Sequence, residues 1–148
     1  MGKAVSTNHN RQAITVTDAA PAPLGAYSHA VRAGSLLFLS GQGARDPNTG
    51  REVGVTLDES GNVISYDIQA QTHAVIANIT TVLTAAGLTL TDLVDVNVFL
   101  ADIKDFQKFN EVYAQYFSFD GPPARTTIQA AALPGKNFIE IKAIAVCP

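Results

Sequence analysis

The chain has 148 residues, 47% of them apolar and 16% charged, with a formal net charge of −3. This composition suits one globular domain with a buried core and excludes a disordered chain, and the acidic balance gives no footprint for nucleic acid or an anionic membrane. A single cysteine, Cys147, excludes a disulfide framework within the chain, so a reducing, cytoplasmic setting is expected.

Residues 1–12 are polar, lack the apolar core of a signal peptide and read as a flexible N-terminal segment before a single domain over 13–148. Residues 13–16 (AITV) suggest a short strand. The following stretch, with Pro21, Pro23 and Gly25, favours an extended loop. Residues 27–33 alternate, turn at Ala33-Gly34 and continue into the apolar run 35–40, which predicts a hairpin ending in Ser40-Gly41-Gln42-Gly43. Residues 44–62 are polar and turn-rich, with a small second hairpin expected across 53–57 and 63–65.

Apolar residues spaced by three and four predict a helix over 67–86, closed by Gly87. Residues 93–100 (LVDVNVFL) read as a strand with Val94, Val96 and Val98 on one face and Asp95 and Asn97 on the other. Phe106, Phe109, Tyr113 and Phe117 recur at helical spacing and predict a second helix over 105–119, with these aromatics as core; Gly121-Pro122-Pro123 stops it. Strands over 124–132 and 137–146 complete an α+β order: a mixed sheet with two helices on one face in two layers, the other face left for oligomer contacts.

No apolar run approaches the ~20 residues that span a bilayer. His9, His29 and His73 lie far apart and fit no zinc spacing, and no glycine-rich nucleotide loop is present. An enzyme of this sequence is expected to work with no metal and no cofactor. The last two strands read as an apolar hairpin, yet they carry one arginine, Arg125, and one glutamate, Glu140.

Those two residues carry a resemblance. Pro123-Ala124-Arg125-Thr126 and Ile139-Glu140-Ile141, with Gly25-Ala26-Tyr27 and Ser40-Gly41-Gln42 upstream, resemble the signature of the RidA/YjgF reactive-intermediate deaminases. The likeness runs from about residue 20 to the C-terminus. It implies a chorismate-mutase-like fold, a homotrimer with a central barrel, and active sites in clefts between subunits. It leaves open whether trimers pair into hexamers. It also implies hydrolysis of an enamine or imine to a keto acid and ammonia, without a cofactor. Residues 26–30, 54–58 and 65–72, and the long excursion 44–62, resemble the 2-aminomuconate deaminase branch. That branch implies a dicarboxylate substrate converted to 4-oxalocrotonate. A broad-range 2-iminoacid deaminase, or a non-enzymatic or RNA-acting relative, is the alternative.

On this reading Arg125 clamps the substrate carboxylate through paired hydrogen bonds. Glu140 orients water and moves protons. Tyr27 lines the pocket, and Gly41 lets backbone approach the substrate. Thr127 and Asn110 neighbour the site; for Asn110 a capping or core-satisfying role is equally open. His29, two residues past Tyr27 and on its face in a strand, is a candidate to shuttle a proton or meet a second carboxylate, against an ordinary surface or interface histidine. A dicarboxylate needs a second cation, for which Arg45 and Arg51 are the candidates. Thr127 replaces a cysteine common in the family, which excludes thiol chemistry there. Lys142 replaces a frequent second glutamate, and either faces away from the neighbours of Glu140 or points outward.

Overall fold

A computed structural model describes residues 10–148. A six-stranded sheet is built from β1 (Arg11–Ile14), β2 (Ala30–Ala33), β3 (Leu36–Gln42), β6 (Leu93–Leu100), β7 (Ala124–Gln129) and β8 (Ile139–Val146), in the spatial order β1-β2-β3-β8-β6-β7. The arm between β3 and the first helix carries its own two-stranded sheet, β4 (Val55–Leu57) with β5 (Val63–Tyr66). Most of the expected loose segment 1–12, and His9 with it, lies outside the described residues, but Arg11 and Gln12 belong to β1 and pair with β2.

Helix α1 (Ile68–Ala85) begins where Asp67 accepts hydrogen bonds from the Gln69 and Ala70 N–H groups, satisfying two donors the first turn leaves free. It ends where Gly87, at φ +74°, donates to Thr84 and Leu88 donates to Leu83. This is a glycine-closed cap that a side chain would strain. Helix α2 (Phe106–Tyr116) is shorter than its aromatic spacing predicts.

Both helices lie on one face of the sheet. Val75, Ile76, Ile79, Val82 and Leu83 of α1 and Phe109 of α2 are buried against Leu37, Leu39, Val96, Val98, Leu100, Ile139, Ile141, Ala143 and Ala145. The opposite face stays open: Leu36 and Phe38 of β3, Val146 of β8 and Ile128 of β7 are exposed.

Two irregularities depart from simple alternation. Between Leu93 and Asp95 the register to β8 shifts, so Val94 turns outward, away from the buried Val96 and Val98. Between Leu39 and Gln42, three steps of β3 oppose two of β8, which places one extra residue at Ser40-Gly41. The strand continues through this bulge to Gln42 instead of stopping at Ser40. The largest correction concerns the C-terminal strands. Strands β7 and β8 are not a hairpin: β6 lies between them, parallel to β7 and antiparallel to β8. Among the described residues no helix is long and apolar enough to cross a membrane.

Candidate active site

Strand alternation sends Arg125 and Glu140 to opposite faces. Arg125 stands in register with Val96, which is buried under the helices. Glu140 stands in register with Phe99 and between the buried Ile139 and Ile141, so it projects from the open face. The expected meeting of both charges in one cleft does not occur within a single copy of the chain.

On the helix face, Arg125 packs against α2. Its guanidinium carbon lies 4.6 Å from the Tyr113 ring centroid, 5.4 Å from Phe109 and 5.7 Å from Phe106. Rings at this range attract the cation and limit its orientation. Arg125 Nη1 donates to Asn110 Oδ1 at 2.8 Å. An amide carbonyl holds the guanidinium without neutralising it, so the charge stays available to an anion. The aromatic stripe is therefore core, as expected, and also the seat of the arginine.

Tyr113 was not singled out as a site residue, although its position three residues after Asn110 on a helix places both on one side. Among the described residues its buried hydroxyl has no hydrogen-bond partner, nor does Thr127 Oγ1. Burial pushes the Tyr113 phenol up to about 12, with Arg125 pulling it down in part. Thr127 stands in register with Val98 on the face of Arg125. The helix face thus joins Arg125, Asn110, Thr127 and Tyr113.

The open face carries Glu140, seated against the Gly41 bulge. A side chain at Gly41 would collide with Glu140 Oε1, so the bulge glycine makes room for this carboxylate. The space at Gly41, expected to let the backbone approach substrate, is filled by the protein's own Glu140 carboxylate. Burial raises the Glu140 carboxyl above its ordinary value of 4.5. Lys142 shares the face of Glu140, and its Nζ donates to the Leu39 carbonyl at 3.3 Å.

Tyr27 is 48% exposed and lies in the loop before β2. Its phenol oxygen accepts the Leu24 N–H at 3.1 Å, so its own hydrogen remains free to donate. Ser40, beside Gly41, binds the chain just after Tyr27: its N–H donates to the His29 carbonyl at 2.9 Å and its Oγ to the Ser28 carbonyl at 2.6 Å.

His29 departs from expectation. It precedes β2, as Tyr27 does, so the strand alternation that would give them one face does not apply; it is 1% exposed, against 48% for Tyr27. Its Nδ1 accepts the Val16 N–H at 2.9 Å, and its Nε2 bonds the Pro21 carbonyl at 2.8 Å. Both nitrogens are used inside the protein, which excludes direct substrate contact in this arrangement. Arg45 Nη2 donates to the Ala22 carbonyl at 2.7 Å. Arg51 is exposed and lines a cavity of about 400 Å³ with Glu52, Val55, Leu57 and Lys136.

The fold and the site define a class: a two-layer α+β protein with an amide-held arginine on one sheet face and a half-buried carboxylate on the other. The chain belongs to the family described as Endoribonuclease L-PSP, which matches residues 17–147 and is the RidA/YjgF family its signature resembles. A RutC family protein of Pyrococcus horikoshii is 42% identical over 89% of this chain and 95% of its own length. A goat (Capra hircus) protein named 2-iminobutanoate/2-iminopropanoate deaminase is 43% identical over 90% of this chain and 88% of its own. The crystal structure of E. coli TdcF with bound serine superposes with a TM-score of 0.78 at 34% identity, covering 93% of this chain and 100% of that one. The more specific likeness to the 2-aminomuconate branch has no counterpart in these names.

Proposed function

We propose that this protein is a cofactor-independent enamine/imine deaminase acting on small 2-iminoacids. The observation that carries the reading is Arg125, seated over three rings and held by a neutral amide, a cation prepared for a carboxylate. The similarity to a named 2-iminobutanoate/2-iminopropanoate deaminase supports the broad substrate class over 2-aminomuconate.

Because Arg125 and Glu140 face opposite ways, the reading requires two copies of the chain. The Arg125 set of one subunit meets the Glu140 set of its neighbour across the open sheet face in a homotrimer. Arg125 binds the substrate carboxylate and fixes C2. Water oriented by Glu140 and a backbone carbonyl near Thr127 adds to C2 of the imine. The carbinolamine then collapses to a 2-oxo acid and ammonia. A carboxyl raised by burial suits an acid–base role.

The family description names an endoribonuclease, which supports an RNA-acting second reading. The net charge of −3 argues against it. Ammonia release from freshly generated 2-iminobutyrate, beside RNA cleavage and an Arg125→Ala control, tests both. Arg125-dependent ammonia release is expected. Arg125-dependent RNA cleavage without ammonia release would replace the deaminase reading.

A further inference from the structure

We infer that His29 and Arg45 are positioning residues that fix the Tyr27 loop by holding two adjacent carbonyls, a role that rests on the deaminase reading. The loop joins β1 to β2 and contains Pro21 and Pro23, which have no N–H to donate. Its base is buried at Ala20 and Pro21, whereas its tip, Leu24, is 78% exposed. Two side chains fasten the base: His29, the last residue of the loop, through Nε2 on the Pro21 carbonyl at 2.8 Å, and Arg45, from outside the loop, through Nη2 on the Ala22 carbonyl at 2.7 Å.

The chemistry fixes the histidine's form. A carbonyl only accepts, so Nε2 carries the hydrogen. The Val16 N–H donates to Nδ1, so Nδ1 is bare. The imidazole therefore links Val16, just past β1, to the loop base at Pro21. Its own main chain is held by Ser40, next to the Gly41 that lies under Glu140. Arg45 comes from the same strand exit, four residues beyond Gly41, and its carbonyl is held by Asn78 Nδ2 of α1 at 2.9 Å. Loop, bulge and helix form one frame, and the free hydrogen of the Tyr27 phenol is aimed by that frame.

The test is a coupling experiment on 2-iminobutyrate hydrolysis. His29→Leu and Arg45→Met are each expected to lower kcat/KM by about ten-fold or more in the wild-type background, and by under about two-fold when Tyr27→Phe is already present. His29→Gln, whose amide both donates and accepts, is expected to restore most of the rate. Hydrogen exchange over residues 20–28 should rise in His29→Leu and Arg45→Met while α1 stays protected. Equal losses in the Tyr27 and Tyr27→Phe backgrounds would overturn the positioning role and leave the deaminase reading standing. So would unchanged exchange in the loop. If His29→Leu does not fold, Arg45→Met and His29→Gln carry the test. A wild-type protein that releases no ammonia would overturn the deaminase reading, and this role with it.

Discussion

The two sheet faces hold their charges in different ways. Arg125 is enclosed by the chain's own aromatic helix and fastened by Asn110. Glu140 rests over a glycine on a face whose neighbours, Phe38 and Ile128 among them, remain exposed. The arginine is supported by side chains that also build the core. The glutamate depends on a backbone irregularity and on a surface awaiting cover. On the proposed reading, substrate binding is thus built into the stable layer, and proton transfer is placed on the face that a second copy would cover.

The comparison breaks most sharply in a subunit-mixing experiment. Arg125→Ala and Glu140→Ala are each expected to reduce ammonia release by roughly 10³-fold or more while folding normally. Refolded together, they should recover about a quarter of wild-type activity, because one site in four then draws both intact residues from different subunits. No recovery would show that one copy supplies both. On the arginine side, Asn110→Asp supplies a carboxylate that neutralises the guanidinium. KM for 2-iminobutyrate is expected to rise at least about ten-fold, with a smaller change in kcat. On the glutamate side, Gly41→Ala forces the carboxylate aside. A loss of roughly 10²-fold in kcat is expected, with little change in Tm, since the group that must move is the end of a flexible side chain.

Two smaller effects concern stability. Burial raises the Glu140 carboxyl above 4.5, so the folded state holds that proton more tightly than the unfolded chain does. Its contribution is fully present below 4.5 and is lost as pH rises through the folded value. Glu140→Gln should therefore match wild type in Tm at about pH 4 and exceed it at about pH 8. Smallest is Tyr113→Phe, which deletes a buried hydroxyl without a partner among the described residues. Chemical denaturation should show a change between zero and about 1 kcal/mol of added stability, with the seat under Arg125 retained.

Much of the fold was legible. The spacing of α1, its Gly87 cap and the bounds of β6 follow from period and glycine placement. Strand insertion was not: nothing local to β7 or β8 says that β6 separates them, because pairing is decided by the whole sheet. Bulges were hidden for the same reason, since Val94 fits a strict alternation that only its partner strand disrupts. At the site, Arg125 and Asn110 were legible and are in contact. His29 was misread because adjacency to Tyr27 in sequence suggested a shared face, whereas the chain has not yet entered β2 at that point. The division of Arg125 and Glu140 between faces follows from the registers of β7 and β8 on β6, which set Arg125 beside Val96 and Glu140 beside Phe99, so it was legible only once those pairings were known.

The place of β8 also bears on how the chain folds. It lies at the middle of the sheet between β3 and β6, yet it follows every other strand in sequence. Until it arrives, β3 and β6 each present an unpaired edge, and Gln71 of α1 lacks the Lys136 carbonyl and Phe138 N–H that it binds some 65 residues away. Such distant contacts are closed late and slowly. A nascent chain therefore carries two apolar edges open to wrong pairing until the final strand inserts between them.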